Sequence, residues 1–137
     1  MGNAMTSSEP RHERHRPQYH FSMKNGWIND PNGLVYHDGV YHLFCQHYPD
    51  DITWGPMHWS HAMSTDLVSW VEQPIALFPD ELGTCFSGSA VVDWHNTSGL
   101  GKDGRPPLLA FYTAAGDGAT PPQPTTQALA FSTDNGR

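Results

Sequence analysis

The sequence has 137 residues, enough for one small domain with a modest core. Its hydrophobic fraction is 37% and its charged fraction 15%, with 13 Gly and 12 Pro, a composition that excludes long helices and predicts an all-β class. Fourteen acidic against seven basic side chains, a formal net charge of −7, exclude nucleic acid and an anionic membrane surface as partners and leave a neutral ligand.

The opening MGNAMTSSEPRHERHRPQ, residues 1–18, lacks the apolar core of a secretory signal, which points to a cytoplasmic location. No apolar run approaches the ~18 residues of a membrane span. Within the opening, RHERHR at Arg11–Arg16 reads as a solvated, flexible lead-in, because nothing basic or aromatic continues it. From residue 19 to 137 the texture changes to short β-type runs separated by turn signals. The first is WINDPNG, Trp27–Gly33, which sets Asn-Asp-Pro-Asn-Gly directly against a strand-like Trp-Ile pair. A turn is expected there, with Asp30 either a structural turn residue or a working acid fixed by Pro31. GLVYHDGVYHLFCQHYP alternates apolar and polar residues on both sides of Asp38-Gly39, predicting two antiparallel strands joined by a tight turn. HWSHAMS predicts a third strand and TDLVSW a turn with a returning edge. SGSAVVDW and PLLAFYTAA predict two more strands, and QALAFSTDNGR begins another that stops at a turn.

That succession suits a sandwich, a barrel or a propeller. HWSHAMSTDLVSW and QALAFSTDNGR both run strand, Ser/Thr, Asp, turn, an internal likeness expected where each propeller blade is one meander. At about 40 to 45 residues per four-stranded blade, the chain after the lead-in holds two to three blades. The strand that should pair across the Asn135-Gly136 turn is missing, so the chain reads as truncated, with open strand edges through which copies associate. Cys45 and Cys85 are expected as buried free thiols. His58 with His61, or His42 with His47, fit no metal-ligand pattern on strands, and neither a metal nor a cofactor is expected.

With those segments in view, the chain resembles glycoside hydrolase family 32, the invertases, levanases and inulinases that cleave β-fructosides. WINDPNG looks like that family's N-terminal signature, and LFCQHYP, WGPMHWSHAMSTDLVSW, CFSGSAV, and Tyr112-Thr113 with ALAFSTDNG follow in the family's order. The resemblance runs from about Tyr19 to the C-terminus and implies the first two to three blades of a five-bladed β-propeller with a funnel-shaped site on its axis. It implies that Asp30 is the nucleophile. It also implies that Asn29 and Gln46 hydrogen-bond a fructosyl ring, that Trp27, Trp54 and Phe86 form an aromatic wall, and that Ser87 gives a hydroxyl contact. Trp59, Trp70 and Trp94 are expected to pack blades.

The residue types suit that chemistry. The anomeric carbon of a β-fructofuranoside passes through an oxocarbenium-like state that a carboxylate can stabilise and then trap covalently, with retention of configuration. Asn and Gln match vicinal hydroxyls, and Trp faces cover the apolar side of a sugar. A retaining glycosidase also needs a second carboxyl group. The family takes it from a Glu-Cys motif, with a third acid from Arg-Asp-Pro, and neither string occurs here. Glu72 and Glu81 sit in turn-like contexts that match no acid/base position. The chain is then either the N-terminal part of a β-fructosidase, inactive alone, or a non-catalytic sugar-binding remnant of one. Outside the family, the reading is a propeller-type interaction domain.

Overall fold

The computed structural model describes residues 13–17 and 19–136, in which strands form two antiparallel sheets. The first has the order β1 (Trp27–His37), β2 (Val40–Tyr48), β3 (His58–Ser64), β4 (Trp70–Leu77), and the second β5 (Thr84–Val92), β6 (Leu108–Ala115), β7 (Thr126–Ser132). Each is a simple meander, as in a propeller blade, so the described residues hold one four-stranded and one three-stranded blade, the lower end of the expected count. Most of the N-terminal lead-in lies outside the described residues. Within 13–17, Arg16 bonds the Glu13 carboxylate and donates to Ser22 Oγ and the Met23 carbonyl oxygen, at 2.8 and 2.9 Å.

The β1–β2 hairpin closes through Asp38 and Gly39 with φ of 50° and 80°, the doubly left-handed turn whose twist matches that of the strands. WINDPNG corrects the expectation of a turn: it is the first part of strand β1. Asp-Pro-Asn-Gly is tolerated there because β1 is an edge strand and carries two bulges. Asn29 and Asp30 together oppose only Gln46, and Gly33 and Leu34 oppose only Leu43. Gly33 has φ +54°, and a Cβ on it would lie 2.8 Å from Phe44 and 3.2 Å from Trp59, so only glycine fits this second bulge.

The returning edge expected at the end of TDLVSW is strand β4, which starts at Trp70 and runs on through VEQPIAL, and Glu72 lies within it rather than in a turn. Pro74 is accommodated because β4 is the other edge, where pairing with β3 slips between Trp59 and His61. The Ser-Thr-Asp likeness is a structural repeat. After β3, Ser64 Oγ accepts from the backbone N–H of Asp66 and Leu67; after β7, Ser132 Oγ accepts from those of Asp134 and Gly136. The residue after each Asp is left-handed, Leu67 at φ 64° and Asn135 at φ 68°.

The sheets stack face to face on Phe44 and Trp59 from the first and Val92, Leu108 and Tyr112 from the second. The Trp59 ring lies edge-on to Tyr112 at 6.1 Å. Within β2 and β3, His42 and His61 are buried and stacked, with Nδ1 of His42 3.0 Å from Nε2 of His61. Cys45 and Cys85 are buried free thiols whose pKa values burial pushes up to about 11 and about 12. An apolar cleft of about 430 Å³ opens between β4 and β6–β7, lined among others by Leu77, Leu108 and Ala130. On the opposite face of the second sheet Val91, Phe111, Leu129 and Phe131 are exposed. No helix among the described residues is long and apolar enough to cross a membrane.

Candidate active site

The same irregularity recurs at the start of the first strand in each sheet. In β1 it sets Asn29 and Asp30 against Gln46; in β5 a shift between Cys85 and Gly88 sets Phe86 and Ser87 against Thr113. A bulge interrupts the inward and outward alternation of side chains, so neighbouring residues can point to one side. The two bulges face each other across the junction of the sheets.

Four consecutive residues of the β5 bulge bond to the first sheet. Gln46 Nε2 donates to the Cys85 carbonyl oxygen at 2.8 Å, and Trp59 Nε1 to that of Phe86 at 3.0 Å. Ser87 Oγ donates to Asp30 Oδ2 at 2.8 Å, and the Gly88 N–H donates to Asn32 Oδ1 at 3.4 Å. A Cβ on Gly88 would collide with the Phe111 carbonyl oxygen, so glycine is required where the strand closes up again. Gln46, Trp59 and Asn32 are buried, while Asp30 and Ser87 are exposed: the junction is rigid beneath and open above.

Asp30 is held below the ordinary carboxylate range, first by the hydrogen bond from Ser87, then by Asn29, then by its own backbone N–H. It is therefore an ionised, solvent-facing anion at neutral pH. Asn29 in turn accepts from Trp27 Nε1 at 2.7 Å, which orients its amide, and the Trp27 carbonyl oxygen lies 2.8 Å from His47 Nδ1. Trp54, 60% exposed, stands edge-on to Phe86 with ring centroids 6.3 Å apart, an aromatic surface beside the bulge that carries Ser87.

The site residues expected from the sequence therefore fall into two layers. Asp30, Ser87, Asn29, Trp27, Phe86 and Trp54 gather around the facing bulges with at least part of each accessible. Gln46 lies below them, 3% exposed, with its amide nitrogen committed to Cys85. Two supporting residues were not singled out for the site. Asn32 sits inside WINDPNG, where its burial depends on strand pairing that the string does not show. Trp59, read as a packing residue, also holds the Phe86 carbonyl through its indole N–H. Glu72 is engaged elsewhere, accepting from the Lys24 N–H at 3.0 Å. Among the described residues no group of three His, Cys, Asp or Glu could hold a metal ion. The arrangement presents one carboxylate anion with a hydroxyl donor, an amide and an aromatic face, which suits a neutral polyol that develops positive charge.

The model of the glycosyl hydrolases family 32 N-terminal domain matches residues 20–137. The chain is 54% identical over 125 residues to a levanase of Bacillus subtilis, covering 91% of this chain and 18% of that protein. It superposes on the crystal structure of an exo-inulinase from Aspergillus awamori with a TM-score of 0.80 and 45% identity, covering 91% of this chain and 27% of that one. A β-fructofuranosidase of Schwanniomyces occidentalis complexed with fructosyl-erythritol matches with a TM-score of 0.79 and 41% identity, over 88% of this chain and 24% of that one. The chain thus spans less than a third of each relative's length. The two sheets are propeller blades of a kind these enzymes share, the family model covers nearly every described residue, and the chain belongs to glycoside hydrolase family 32, as its N-terminal domain.

Proposed function

We propose that this chain supplies the nucleophile-bearing part of a β-fructofuranosidase that acts on sucrose or fructans by retaining double displacement. Asp30 attacks the anomeric carbon of a fructosyl unit, the leaving oxygen departs with the electron pair of the broken glycosidic bond, and a second carboxyl group gives that oxygen its proton. Water then releases fructose from the Asp30 ester with configuration retained. The proton donor is assigned to a part of the enzyme outside this chain. Asn29 and Ser87 meet the sugar's hydroxyls, and Trp54 with Phe86 covers its apolar face. Gln46 acts from beneath by fixing the Cys85 end of the β5 bulge.

The observation that carries the reading is the exposed Asp30 carboxylate, kept ionised by a hydrogen bond from the facing bulge. The relatives support it: one is a levanase and another was solved with a fructosyl ligand. The test is a chimera in which this chain replaces the matching stretch of the B. subtilis levanase. The chimera should hydrolyse levan or sucrose, and Asp30→Ala within it should abolish hydrolysis while leaving its circular dichroism unchanged. A folded Asp30→Ala chimera retaining more than about a hundredth of the parent rate would overturn the assignment, since loss of a covalent nucleophile costs orders of magnitude more.

A further inference from the structure

We infer that Ser87 is a positioning residue for the Asp30 carboxylate, delivered to it by the row of hydrogen bonds that fastens the β5 bulge to the first sheet. The inference rests on Asp30 being the nucleophile, and it gives Ser87 a role other than a sugar contact alone. Ser87 Oγ has one proton, and in this structure it goes to Asp30 Oδ2 at 2.8 Å. That bond anchors Oδ2 to the facing sheet and so restricts rotation of the carboxylate plane.

An exposed serine would ordinarily rotate among several partners. Here the backbone on both sides of it is pinned. Phe86 is held through its carbonyl by the buried Trp59 indole, Cys85 through its carbonyl by the buried Gln46 amide, and Gly88 through its N–H by the buried Asn32. Gly88 is also packed against Phe111 and Tyr112 with no room for a Cβ. Asp30 itself lies in a bulge on the other sheet, so the nucleophile's setting is built only where the two blades meet in this register. The direction of the Asp30 shift, with Ser87 as its largest cause, agrees.

The test has two arms. In the 137-residue chain, the Asp30 side-chain carboxyl is titrated by carbon-13 NMR in the parent and in Ser87→Ala, Ser87→Thr and Trp59→Phe. Ser87→Ala should move the Asp30 titration to higher pH and Ser87→Thr, which keeps the hydroxyl, should restore it. Trp59→Phe keeps a ring in the core but loses the bond to Phe86, and should move the titration in the same direction as Ser87→Ala, although the Trp59 indole bonds Phe86 rather than Asp30. An unmoved titration in Ser87→Ala overturns the inference, and an unmoved one in Trp59→Phe overturns delivery through the bond row. Ser87 is exposed, so its variants test the inference even where Trp59→Phe does not fold.

In the levanase chimera, Ser87→Ala should shift the acid limb of kcat/KM to higher pH and lower kcat/KM roughly threefold to tenfold, the scale of one lost hydrogen bond. A rise in KM alone, with the acid limb and kcat unchanged, would make Ser87 a plain sugar contact and overturn the inference. If Asp30→Asn in the chimera keeps its activity while the NMR arm behaves as expected, it is the function reading that fails.

Discussion

Gln46 distinguishes a strut between blades from a direct sugar ligand. Its side chain is 3% exposed and its amide nitrogen bonds the Cys85 carbonyl oxygen at 2.8 Å. Gln46→Leu keeps much of the volume and removes the donor. The cost expected is that of leaving a buried carbonyl short of a partner, about 2 kcal/mol. With a urea dependence of about 2 kcal/mol per molar for a domain of this size, the unfolding midpoint should fall by about 1 M. Five Trp residues, one of them Trp59 at the sheet junction, provide the fluorescence signal. In the levanase chimera the same substitution should lower kcat through misplacement of the β5 bulge, with fructose inhibition weakened less. An unchanged midpoint together with a clearly raised inhibition constant for fructose would refute the reasoning and make Gln46 a ligand of the sugar.

Buried His42 should make the chain acid-sensitive in a window above that of the carboxylates. Burial, and then His37, lower the pKa of His42 from 6.5, with the bond to Asn135 acting the other way. The folded state therefore holds the neutral ring while the unfolded chain takes up a proton near pH 6.5, so stability is whole above that pH and falls as the pH drops below it. Urea midpoints measured between pH 7.5 and about 5.5 should decline in the parent and decline less in His42→Gln; parallel slopes would remove His42 as the cause. The exposed face of Val91, Phe111, Leu129 and Phe131 should drive self-association of the 137-residue chain. Light scattering should report dimers or larger species that Phe131→Lys reduces, and a monodisperse parent would contradict this.

Much of the architecture was legible because its signals are local. Asp38-Gly39 between alternating runs specifies a hairpin by turn chemistry alone, and HWSHAMS coincides with β3 from His58 to Ser64. The Ser-Thr-Asp likeness proved to be a shared turn because a serine hydroxyl catching nearby N–H groups is written within a few residues. The bulges were not legible. A bulge exists only relative to a partner strand, so Asn-Asp-Pro-Asn-Gly reads as a turn until Gln46 is set opposite Asn29 and Asp30. The same limit hid Asn32 and the second task of Trp59, both fixed by a sheet that begins more than twenty residues later in the chain. Strand β4 was blurred by Pro74, which is acceptable only because its position is an edge.

The central claim is that Asp30, at the facing bulges of two blades, forms the covalent bond to fructose. The direct measurement is peptide mass spectrometry on the levanase chimera, quenched in acid during turnover of sucrose. The account predicts a fructosyl adduct on the peptide that contains Trp27–Gly33, located on Asp30 and absent from Asp30→Asn. An adduct on any other carboxyl group, or turnover with inverted configuration at the anomeric carbon, would contradict it.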